Sequence, residues 1–175
     1  MQGLVLPYKG KSPKIAGNVF LAPTSSVVGE VTLATGANIW FGTTVRGDFQ
    51  PVTVGAFTNI QDNTTVHVMG DSPTEIGNYV TIGHNAIIHC RKIGDNCLIG
   101  MGSIILGYAE IGENCIIGAG TLLTQYKKIP ANSLVFGNPA KIMRALREDE
   151  IEAVRASAMH YHECANEYIK HLGHG

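Results

Sequence analysis

The chain has 175 residues, 45% hydrophobic and only 15% charged, with a formal net charge of −1. That length supports one domain with a good core, and so even a charge balance gives no basis for a nucleic-acid partner or an anionic membrane surface. No apolar run reaches a membrane span, the start MQGLVLPYKGKSPKIAG lacks the features of a secretory signal, and four cysteines without a CxxC pair read as reduced core thiols in a cytoplasmic protein.

Along the chain, an aliphatic residue recurs every six positions. The series runs Ile15, Leu21, Val27, Leu33, Ile39, Val45, resumes at Val54, Ile60, Val66, and again at Ile76, Ile82, Ile88. A last run holds the period without a break from Ile93 through Ile99, Ile105, Ile111, Ile117, Leu123 and Ile129 to Val135. Six is neither the 3.6 of an amphipathic helix nor the 2 of a long strand. It suits short strands joined by tight corners, and the glycines that follow Ile76, Ile82, Ile93, Ile99, Ile111 and Ile117 are expected to supply the unusual backbone angles there.

This pattern resembles the hexapeptide repeat of left-handed parallel β-helices, an all-β solenoid, over roughly residues 13 to 137. In such folds three hexapeptides make one triangular coil, and the repeat here implies about seven coils stacked about 4.8 Å apart. Residues 18 apart then share a corner, so Asn96, Asn114 and Asn132 form a structural ladder, as do Cys97 and Cys115. The period slips three times: long between Val45 and Val54, long between Val66 and Ile76, and short between Ile88 and Ile93. Solenoids place chemistry in such insertions, and two of these follow a histidine.

The repeat ends at Gly137-Asn138-Pro139, dividing the chain into a β-helix domain, 1–137, and a C-terminal segment, 138–175. In the latter, Ile151, Val154, Ala158, Tyr161, Ala165, Tyr168 and Leu172 recur at steps of three and four, predicting a helix from about Glu148 to Leu172 that lies along the prism. Its histidines, His160, His162, His171 and His174, read as polar-face residues.

The remaining three, His67, His84 and His89, stand inside the repeat and are the candidate metal ligands. His67 follows Val66 and His89 follows Ile88, one coil later, so they stack on one edge about 4.8 Å apart, close enough to share a zinc ion. Arg46 precedes them in the same column. His84 has a different phase, with Asp62 before it and Gln61 alongside, and belongs to another side of the triangle. A closed trimer would bring the two columns together across subunits.

Four motifs make the resemblance specific. Arg-Gly-Asp at 46–48, Asn-Ile-Gln-Asp at 59–62, Val-His-Val at 66–68 and Gly-His-Asn-Ala-Ile-Ile-His at 83–89, with the terminal helix, resemble the γ-class carbonic anhydrases. The resemblance implies a homotrimer that hydrates CO2 reversibly to bicarbonate, with Zn2+, or Fe2+ or Co2+, held at each interface by His67 and His89 of one subunit and His84 of the next. It implies an intersubunit ion pair for Arg46 and Asp48, and a role for Gln61 in orienting the nucleophile with Asn59 in support. It also brings Tyr161, in Ser157-Ala158-Met159-His160-Tyr161, near the pocket. The glutamates that carry protons in the most active members are missing: Phe49 and, approximately, Gly70 stand in their places, and Asp71 and Glu75 read as solvated turn residues. Two rival readings share the scaffold, a hexapeptide acyltransferase and a non-catalytic metal-binding trimer.

Overall fold

The computed structural model describes residues 3–173, so His174 lies outside the described residues. The chain winds as a left-handed parallel β-helix of seven coils with three flat faces, followed by one α-helix. The first face is built in order from Leu4–Leu6, the first half of Ser26–Leu33, the first half of Thr44–Val54, Thr65–His67, Ile87–Ile88, Ile104–Ile105 and Leu122–Leu123. The second face runs from Lys14–Ile15 to Lys128–Ile129 and the third from Phe20–Leu21 to Ser133–Phe136. Ser26–Leu33 and Thr44–Val54 are long because they pass from the first face to the second without a tight corner. That is how the first slip is accommodated.

Three columns of aliphatic side chains fill the prism, one per face. On the first face Val27, Val45, Val66, Ile88, Ile105 and Leu123 are in register and buried. Val5 pairs with Val27 at the head of that column, a coil that the six-residue series leaves out. Each fully buried isoleucine contributes about 1.5–3 kcal/mol relative to an exposed one, and the regular coils hold a row of them.

The glycines after the aliphatic residues serve a different purpose from the one expected. Gly77, Gly94 and Gly112 are not among the residues with positive φ. They are small because the next coil lies directly against them: a Cβ on Gly94 would stand 2.6 Å from the Glu113 nitrogen and 2.7 Å from the Gly112 carbonyl carbon. The left-handed residues come two positions later, at Asn96, Asn114 and Asn132, with φ of 54°, 54° and 61°. The expected ladder is present, with Asn96 Nδ2 donating to Asn114 Oδ1 at 2.9 Å.

Phe57 and Tyr79 hold the same left-handed position in earlier coils, with φ of 57° and 55°. Bulky residues in this region cost about 1–2 kcal/mol each, and here they seat the helix. Their rings stack at 5.3 Å, Arg155 lies 3.8 Å over Tyr79, and His162 meets Phe57 edge-on at 5.0 Å. The helix α1 spans Glu148–Leu172, as its periodicity predicts. It lies on the third face, where Phe20, Ala22, Trp40 and Ala165 form a second core with Tyr161, Cys164 and Ile169 packed against it. Lys141–Ala145 is a strand that the repeat does not announce; it pairs antiparallel with Ser133–Phe136 at the end of that face. Among the described residues no helix is long and apolar enough to cross a membrane.

Candidate metal centre

The sequence-predicted residues fall into two groups on opposite edges of the first face. Arg46 and His67 are register partners on adjacent coils, and His89 follows one coil later, because Ile88 pairs with Val66. The expected stacking is present: the His67 and His89 rings lie 5.3 Å apart and 20° from parallel. His67 Nε2 is 2.9 Å from Asp48 Oδ1, and Arg46 Nη1 donates to the other oxygen of the same carboxylate. Arg46 and Asp48 therefore pair within one chain. The first slip supplies this arrangement, because it carries Asp48 outward over the histidine column.

Electrostatics follow from the packing. Burial pushes the Asp48 carboxyl up, but hydrogen bonds from His67 and Arg46 outweigh it and hold the group below its ordinary value. Burial, reinforced by the neighbouring His67, lowers the pKa of His89 and favours its neutral, metal-ligating form. Phe49 stands edge-on to His67 at 6.0 Å and is 58% exposed, forming an apolar rim where the resemblance leads one to look for an acid.

The second group occupies the corner between the third face and the first. His84 Nδ1 lies 2.8 Å from Asp62 Oδ2. Gln61 is buried and donates from Nε2 to Asn59 Oδ1 at 3.0 Å, and Asn59 donates in turn to Thr81 Oγ1 at 2.9 Å. This chain of amides fixes the Gln61 head and leaves its Oε1 without a protein partner among the described residues. Tyr161, from α1, packs edge-on against Trp40 at 5.5 Å. Burial raises its pKa, and the Asp62 charge raises it further.

Within one chain the three histidines do not meet. Among the described residues no set of three or more His, Cys, Asp or Glu side chains is gathered into one metal-binding group. Each half nevertheless suits a cation. The Asp62 carboxylate takes His84 Nδ1 and leaves Nε2 bare, the arrangement by which carboxylates orient metal-ligating imidazoles, and the opposite edge presents two stacked imidazoles.

Sequence reasoning found these residues but missed parts of their surroundings. Asp71 is not merely a solvated turn residue: Tyr108 Oη donates to it at 2.6 Å, and Tyr108 stacks on Tyr126 at 4.8 Å. Both tyrosines adopt positive φ, so stacking at a corner 18 residues apart was the available signal. The bond between Asp48 and His67 had no signal in the period, since Asp48 lies in an insertion.

Comparison with known proteins places these features in a family. Residues 92–125 match the bacterial transferase hexapeptide model (six repeats). The chain is 47% identical to a carbonic anhydrase of Geobacillus kaustophilus over 97% of this chain and 92% of that protein. It is 41% identical to gamma carbonic anhydrase 2, mitochondrial, of Arabidopsis thaliana, over 86% of this chain but only 56% of that longer protein. The crystal structure of a hexapeptide transferase family protein from Anaplasma phagocytophilum superposes with a TM-score of 0.90 at 40% identity, covering 94% of this chain and 98% of that one.

Proposed function

This chain belongs to the carbonic anhydrase family, and we propose that it is a γ-class member that hydrates CO2 reversibly to bicarbonate at a metal shared between subunits of a homotrimer. The observation that carries this reading is the division of the donors: His67 and His89 stand on one edge of the first face and His84 on the other. That face also exposes Leu4 and Leu6 on its first coil and Ile87 on its fifth, apolar side chains suited to burial between subunits. A threefold arrangement sets the first edge of each subunit against the second edge of its neighbour, as hexapeptide-repeat proteins typically assemble.

A divalent cation at three neutral imidazoles supplies hydroxide at neutral pH by acidifying water. The protein's own groups do the rest. Asp62 holds the His84 ring in one tautomer, and Asp48, anchored by Arg46, holds His67. Gln61, locked by Asn59, offers its Oε1 to orient the nucleophile, and Tyr161 closes the pocket from α1. Zinc suits three imidazole nitrogens, as do iron(II) and cobalt(II). Free thiols at Cys90, Cys97, Cys115 and Cys164 fit a reducing compartment and support a cytoplasmic site of action.

Metal analysis of anaerobically purified protein, sedimentation, and stopped-flow CO2 hydration test the reading together. The expected result is a trimer with one ion per chain at this site and a hydration rate that His89→Ala abolishes. A monomer, or a metal-loaded trimer without metal-dependent hydration, would refute it. The match to the transferase hexapeptide model gives the acyltransferase reading one specific support. Acyl transfer from coenzyme A that survives His89→Ala would favour it.

A further inference from the structure

Helix α1 carries a second set of metal-ligating side chains that the site above does not use. His160 and Cys164 are four residues apart, so they stand on the same side of successive turns. His160 Nε2 lies 3.6 Å from Cys164 Sγ. Zinc bonds of about 2.3 Å to sulfur and about 2.1 Å to nitrogen, meeting at a tetrahedral angle, hold their donor atoms about 3.6 Å apart. The helix thus presents the two atoms already at the bite of one tetrahedral ion.

The surroundings favour a cation. Cys164 is half-buried against the aromatic core beneath the helix, which fixes its side chain, whereas His160 is exposed and open to solvent. The exposed Glu163 and Glu167 flank the pair, and Glu167 and His171 continue the same helical face at steps of three and four from Cys164. Two ligands four residues apart on one helix are a recurrent way of holding zinc.

We propose that His160 and Cys164 form a second metal site, a thiolate–imidazole clamp that takes a borderline-soft divalent cation such as zinc. In the metal-free chain Cys164 Sγ and His160 Nε2 are hydrogen-bond partners. The cation displaces the thiol proton to solvent, a metal–sulfur bond replaces the sulfur–hydrogen bond, and no oxidation state changes. Among the described residues no third His, Cys, Asp or Glu is gathered with the pair, so water completes the coordination. The clamp is distinct from the three-imidazole centre in its chemistry, because it alone contains sulfur.

Cobalt(II) added anaerobically to the metal-free full-length protein tests this directly. Sulfur-to-cobalt charge-transfer absorption in the near ultraviolet should appear, accompanied by release of a proton, and saturate by about two equivalents per chain, because the three-imidazole centre takes cobalt as well, or by about one in His89→Ala. Cys164→Ser should abolish it, His160→Ala should weaken cobalt binding by about tenfold or more, and His89→Ala should leave it intact. The other three thiols are buried, and burial pushes that of Cys90 up to about 12, so the folded chain does not offer them. Circular dichroism of each variant establishes that it is folded. Absence of the absorption in folded protein, or its persistence in Cys164→Ser, would overturn the proposal, and neither outcome bears on the three-histidine site.

Discussion

The coils from Lys92 to Ile129 and those from Thr44 to His89 are built on the same plan but carry different burdens. In the later coils the period never slips, corners repeat as Asn96 over Asn114 and Cys97 over Cys115, and the outward side chains do little beyond bridging coils, as where Glu110 meets Arg91 and Lys128. The earlier coils slip twice, and the inserted residues bring Asp48 over His67 and Asp71 to Tyr108. The hexapeptide model matches only the regular part, residues 92–125. Regular winding makes the scaffold recognisable, and the departures from it bring new side chains against residues of the repeat.

If that division is right, substitutions in the two regions should fail in different ways. The largest effect is expected at the histidines: His84→Ala or His89→Ala should cut metal affinity at the three-imidazole centre and metal-dependent hydration by at least about 100-fold, more than loss of an outer partner costs. Melting of the metal-free variants should stay close to that of the metal-free parent. Ile99→Ala, in the regular coils, should do the opposite. It removes a fully buried side chain and should cost about 2–5 kcal/mol in denaturant unfolding, with metal per folded chain unchanged. Asp62→Asn sharpens the contrast further: it should weaken metal binding about 10- to 100-fold by loosening His84, without a comparable loss of stability.

The smallest effect concerns the helix, which belongs to neither region. Hydrogen bonds from Arg144 and the Arg147 amide hold Glu150 down to about 2, against an ordinary 4.5. A depressed carboxylate contributes stability that is present above pH 4.5 and is lost as pH falls toward 2. Trp40, the single tryptophan, packs edge-on against Tyr161 and Tyr168 of α1, so its fluorescence reports helix seating. Glu150→Gln should reduce the change in that signal across this acid window. An unchanged titration would show that the helix start is held by other contacts.

Much of this was legible in the sequence because a solenoid writes its three-dimensional neighbours at fixed spacings. The core columns, the stacking of His67 on His89 and the bounds of α1 all follow from counting. What counting could not reach were contacts between elements of different period. Phe57 and Tyr79 occupy an asparagine position because a helix about a hundred residues later uses their faces. Trp40 gives no sign of its partners on α1, and the strand Lys141–Ala145 has no repeat to betray it. Within one chain His84 stays apart from the other two histidines, and the phase showed this only as a mismatch of edges.

That late strand also bears on how the protein stays discrete. A stack of parallel coils has no natural last layer, and its open rim can template another copy. On the third face, Lys141–Ala145 runs against the winding direction, so a further coil cannot continue that face's parallel ladder beyond it. Trimming it away should turn a finite particle into one prone to end-to-end growth.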